Sequence, residues 1–87
     1  MKTIIEITGQ LGSLYAIRSS FSNYDELITG NFNHYVHLVY NTREEAIEAI
    51  ANAKNHLLSE DCELRNISET GFCYDAGSAE IYNETIY

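Results

Sequence analysis

Polar and apolar positions alternate at the start of the chain. Across residues 3–8 the β-branched Ile4, Ile5 and Ile7 sit among Thr3, Glu6 and Thr8, which reads as a strand. Gly9-Gln10-Leu11-Gly12 then signals a turn. Residues 13–21 resume an extended pattern, with Leu14, Ala16 and Arg18 on one face and Tyr15, Ile17 and Ser19 on the other. The two segments predict an N-terminal hairpin. Residues 22–33 are polar and irregular. Ser22 or Asn23 is placed to cap one helical turn over 24–28, ended by Gly30.

Residues 34–40 are bulky and β-prone throughout, the pattern of a central strand. Thr42 followed by Glu45 at the third residue is a capping box, and Glu44 and Glu45 complement the positive end of the helix that follows. That helix is predicted over 43–58. Ala46, Ile47, Ile50, Ala53 and Leu57 fall on one stripe, which Lys54 alone interrupts. Glu44, Glu48, Asn52 and Asn55 occupy the opposite face. Residues 62–68 alternate again. A hairpin through Glu69-Thr70-Gly71 leads into 72–75 and sets Cys73 near Asn66 or Ile67. Residues 79–85 close the chain as a strand, with Ala79, Ile81 and Asn83 on one face and Glu80, Tyr82 and Glu84 on the other.

The predicted order is β-β-(short α)-β-α-β-β-β. It describes an α+β domain over residues 1–87, in which a five- or six-stranded, mostly antiparallel sheet carries one long helix on one face. The strands on either side of that helix are the place where parallel pairing is expected.

Composition narrows the class. The 87 residues are 45% hydrophobic and 11% aromatic with no proline, too apolar for a disordered chain. A chain this short buries roughly 60–65% of its extended surface, which favours a surface or inter-subunit site over an internal cavity. No apolar run reaches the ~18 residues of a membrane span, and the N-terminus leads directly into a strand pattern without a signal peptide; a cytoplasmic location is expected, that of the host cell if the chain is phage-encoded. Cys62 and Cys73 then belong to a reducing compartment and are expected as free thiols.

Charge changes the picture most. The formal net charge is −8, and its distribution is uneven. Residues 1–43 balance Glu6, Asp25 and Glu26 against Lys2, Arg18 and Arg43, whereas residues 44–87 set ten acids against Lys54 and Arg65. The whole excess lies in the second half. Such a surface repels phosphate, so direct contact with nucleic acid or an anionic membrane is disfavoured. A basic protein partner is favoured, because opposite potentials speed encounter.

Candidate chemistry is sparse. His34 and His37 stand three apart on a strand and point to opposite faces; His56 has no histidine at helical spacing. No Cys-x-x-Cys pair, phosphate loop or nucleophile elbow occurs. No catalytic residue, cofactor or metal ligand is therefore assigned. Seven tyrosines exceed what a core of this size buries with every hydroxyl satisfied, so some belong at the surface, where tyrosine marks binding patches. The expected partner-binding set is Glu44, Glu45, Glu48, Glu60, Asp61 and Glu63 for the field, and Tyr74, Tyr82 and Tyr87 for contact area. Glu80 and Glu84 flank Tyr82 on the terminal strand.

In composition the chain resembles the small, acidic, single-domain inhibitors encoded by phages and other mobile elements, among them anti-CRISPR and nucleic-acid-mimic proteins. That likeness implies a protein occupying a basic surface of a larger host protein, often one belonging to a nucleic-acid-binding complex. The alternatives are a small homo-oligomer joined through an exposed sheet edge, or a small-ligand binder or enzyme with its site between subunits.

Overall fold

The computed structural model describes residues 2–30, 34–75 and 77–82. In chain order the elements are β1 (Thr3–Thr8), α1 (Leu11–Arg18), β2 (Glu26–Thr29), β3 (Tyr35–Tyr40), α2 (Arg43–Ser59), β4 (Leu64–Ser68), β5 (Gly71–Tyr74) and β6 (Gly77–Tyr82). The strands form one six-stranded sheet in the order β2-β3-β1-β6-β5-β4, with every neighbouring pair antiparallel. The α+β class, the antiparallel sheet and the long packed helix are as the residue pattern predicts.

Two elements of the predicted order are exchanged. Residues 11–18 form a helix where an extended strand was expected. Leu14 and Ile17 are both buried, and their spacing of three residues puts them on one helical face; Phe21, just past the helix end, is buried in the same core. An extended chain would have sent Leu14 and Ile17 to opposite sides. The break comes at Gly9, whose φ of 151° ends β1, and at Gln10, the extended N-cap of α1. Conversely, the helical turn expected over 24–28 is replaced by strand β2, because the outer edge of β3 offers a backbone ladder that a lone turn lacks. Gly30 closes this hairpin, donating its N–H to the Tyr35 carbonyl at 2.8 Å. A Cβ at Gly30 would run into the Tyr35 ring, so the close approach requires glycine.

The parallel pairing expected around the long helix is absent. Both edges of β3 are already taken, by β2 and by β1, so α2 carries the chain across to the far edge, where β4 begins. The β4–β5 hairpin also differs in detail: Cys73 stands opposite Arg65, and the register shifts before Ser68 pairs with Gly71. Asn66, at φ 51°, lies within that shift. Both cysteines are free.

Helix α2 starts where its sequence directs. The Thr42 hydroxyl accepts from the Glu45 amide at 3.1 Å. Its inner face is Ala46, Ala49, Ile50, Ala53 and Leu57, while Lys54 escapes the apolar stripe by donating to the Ser68 carbonyl at 3.1 Å. Three alanines on that face let the helix approach the sheet closely. Leu14 and Ile17 of α1 join the same core as Ile50 and Leu57 of α2, against Ile5, Ile7, Leu38, Ala79 and Ile81. Phe21 stacks on Phe72 with ring centroids 6.4 Å apart. Both helices therefore cover one side of the sheet. Each fully buried Ile or Leu contributes about 1.5–3 kcal/mol to holding them there. Among the described residues no helix is long and apolar enough to cross a membrane.

Candidate partner-binding surface

The side of the sheet away from the helices is set by the alternation of β1. Ile5 and Ile7 point into the core, so Ile4, Glu6 and Thr8 point the other way. Register then assigns their neighbours. Across β3–β1–β6, His37, Glu6 and Glu80 form one row; Val39, Ile4 and Tyr82 form the next; Tyr35, Thr8 and Ser78 form a third. Both helices pack on the other side, yet these rows are unevenly exposed: Ile4 and Val39 are buried, Glu6, His37, Tyr35, Thr8 and Ser78 half-buried, and Glu80 and Tyr82 exposed.

The central row is chemically the richest. His37 Nε2 lies 2.8 Å from Glu6 Oε2. Its ring is flanked by Tyr35 at 4.5 Å and by Tyr82 at 5.6 Å between centroids, the latter pair stacked within 29°. Tyr82 remains 41% exposed. Glu80, also exposed, stands directly opposite Glu6 across the β1–β6 ladder and makes no ion pair among the described residues. Thr8 and Ser78 share a hydroxyl hydrogen bond of 3.1 Å beside them.

The remaining acids fall elsewhere. Glu44, Glu45 and Glu48 are exposed on the first turns of α2. Glu45 and Glu48 line a cleft of about 170 Å³ with Ser22, Asn23 and Asn52, floored by Tyr40. The Tyr40 hydroxyl donates to the Ser22 carbonyl at 2.9 Å, and burial, with a smaller push from Tyr24, raises its pKa well above the ordinary phenol value. At the other end of α2, Glu60, Asp61 and Glu63 are all exposed, and Glu60 meets His56 one helical turn back at 2.9 Å. Asp61 and Glu63 line a second cleft, of about 410 Å³, with Asp75, Cys62, Ala16 and Ile17. Tyr74 forms its inner wall.

Tyr74 requires a correction. Rather than offering contact area, it is 7% exposed and donates its hydroxyl to the Thr8 carbonyl. Its position on β5 turns it inward beside Phe72 on the core side, and a buried phenol needs an acceptor. Burial pushes its pKa up to about 12. Of the other expected residues, Glu84 and Tyr87 lie outside the described residues. Glu80 and Tyr82 share the open face, as strand alternation predicts for them.

Residue patterns missed three participants on that face: Glu6, His37 and Tyr35. Their parity within β1 and β3 was legible, but their meeting with Glu80 and Tyr82 depends on strand order.

Full-charge ion pairs are few. Among the described residues they are Lys2–Asp25 at 2.8 Å and Arg65–Asp75 at 4.0 Å, the second largely solvent-exposed. Among the described residues, no group of three or more His, Cys, Asp or Glu is placed to hold a metal ion. Compared with protein-family models, with curated proteins and with solved structures, the chain shows no match to any of them.

Proposed function

We propose that this chain is a small acidic binding protein that occupies a basic surface of a larger protein, in the manner of the phage-encoded inhibitors whose composition it shares. The observation that carries the reading is that the negative charge is left without internal neutralisation. The acids at the start of α2, those beyond its end and Glu80 on the sheet all face solvent; the two full-charge pairs among the described residues engage Asp25 and Asp75 instead, and of the named acids Glu60 alone meets a basic side chain there, His56. An uncompensated potential of one sign accelerates docking onto the opposite sign and discourages partners of like sign. It also argues against nucleic acid as the direct ligand. A protein surface that itself binds nucleic acid, rich in Lys and Arg, is the complementary target.

Affinity capture tests this. Immobilised protein should retain a host protein bearing a Lys/Arg-rich groove at low salt. It should release that protein as the Debye length shortens to ~8 Å and below. DNA and RNA should pass through unretained. Retention that ignores salt, or retention of nucleic acid alone, would overturn the reading.

A second reading has one observation in its favour. Edge strand β2 pairs in regular register without lysine, proline or bulge and is guarded only by its short length and Glu26, whereas edge strand β4 has a register shift. A homo-oligomer built through β2 would show a melting temperature that rises with protein concentration.

A further inference from the structure

The open sheet face adds a specific chemistry to the proposed binding role, and the inference rests on that role. Two carboxylates directly opposite one another on antiparallel strands repel. Glu6 and Glu80 are such a pair. Glu6 has His37 on its other side at 2.8 Å, but Glu80 has Gly71 as its neighbour on β5, which brings no side chain to answer its charge. Beside them the exposed Tyr82 ring lies stacked on His37, held at a fixed orientation by the strand and by that contact. Among the described strand residues, formal charges on this face are Glu6, Glu26 and Glu80 against Arg65, which already lies toward Asp75 at 4.0 Å, and Lys2, just before β1 at the same parity, is already paired with Asp25. The face is thus short of cations and holds a flat aromatic platform next to an unanswered carboxylate.

A planar cation answers both features. A guanidinium stacks on an aromatic face while its N–H fork donates to carboxylate oxygens, and it sheds water more readily than an ammonium group. Lysine offers a point charge without the planar stack. We infer that this face receives an arginine side chain of the basic protein partner, seated over Tyr82 and hydrogen-bonded to Glu80, with Glu6 and His37 orienting the site from behind. Glu80 and Tyr82 are then contact residues, and Glu6 and His37 positioning residues.

Titration with two soluble peptides of alternating sequence, one Gly-Arg and one Gly-Lys, followed by amide and side-chain NMR, tests the assignment. The arginine peptide should shift resonances of His37, Glu80 and Tyr82 most. It should bind at least about fivefold more tightly than the lysine peptide. Glu80→Gln and Tyr82→Ala should each weaken it at least about fivefold, Tyr82→Phe should keep most of the affinity because the ring remains, and Asn55→Ala, exposed on α2, should leave it unchanged. Circular dichroism on each variant confirms that the sheet persists. Equal binding of both peptides overturns the choice of arginine. Binding that maps to α2 and survives Glu80→Gln and Tyr82→Ala overturns the location while leaving the broader acidic-binding role standing. No binding of the arginine peptide overturns this inference, and the salt-dependent capture of a partner then judges the broader role on its own.

Discussion

Asp61 occupies a position that glycine would ordinarily hold. It follows the end of α2 with φ 62°, and two backbone bonds lock it there: its own N–H donates to the Leu58 carbonyl at 3.1 Å, and the Cys62 N–H donates to the Leu57 carbonyl at 3.0 Å. This is the left-handed closure in which a Cβ is a liability. The negative end of the helix dipole adds a second disadvantage for a carboxylate. Asp61→Gly should therefore stabilise the fold by ~0.5–1 kcal/mol, seen as a higher urea midpoint. A lower midpoint would mean that the side chain makes a contact outweighing its backbone cost. Asp61 also lines the larger of the two clefts, where its carboxylate adds to the charge of Glu63 and Asp75.

At the scale of elements, α2 and β6 show how a face is committed. The inner face of α2 buries Ile50 completely and leaves Leu57 5% exposed, while Glu48 and Asn52 point to solvent. Ile50→Ala and Leu57→Ala should each cost about 2–5 kcal/mol by chemical denaturation, and Asn52→Ala well under 1 kcal/mol by roughly the usual surface rule. Losses below ~1 kcal/mol at Ile50 would place the wrong face against the sheet. In β6 the same alternation sends Ala79 and Ile81 inward and Glu80 and Tyr82 outward. The N-terminal helix shows the limit of pattern reading. Over residues 13–21 the apolar side chains satisfy a strand template and a helix template at once. Burial of both Leu14 and Ile17, three residues apart, on one side is what separates them. Segment 24–28 is ambiguous in a different way: its strand exists because β3 supplies the partner.

At the scale of the whole molecule, two buried phenols link folding to alkaline pH. Tyr40 ties the segment after α1 to β3, and Tyr74 ties β5 to the end of β1. Burial raises both pKa values, Tyr74 to about 12 and Tyr40 further. In the unfolded chain both ionise near the ordinary value of about 10. Above that pH the unfolded state has lost protons that the folded state still holds, so stability falls as pH rises. The contribution is complete below about pH 9 and is lost through the window from about 10 to 12 and beyond for Tyr40. The urea midpoint should decline across that window, and Tyr74→Phe should flatten part of the slope. A midpoint indifferent to pH there would show that neither hydroxyl is held in its neutral form by the fold.

Local sequence alone determined β1, β3 and α2, along with the helix cap at Thr42, the outward parity of Glu80 and Tyr82, and the acidic second half. Each depends on neighbours within a few residues: a side-chain period of two or 3.6, a hydroxyl reaching an amide three positions on, a count of charges. Tertiary structure decided the rest. It made residues 11–18 a helix, turned 26–29 into an edge strand and drew Tyr74 inward. It also inserted β1 between β3 and β6, and so brought His37, Glu6 and Glu80 into a single row from positions 31 and 43 residues either side of one another in order along the chain. Pairing between distant segments is chosen by which edges are free and which faces must be buried together, and no short window of sequence contains that competition.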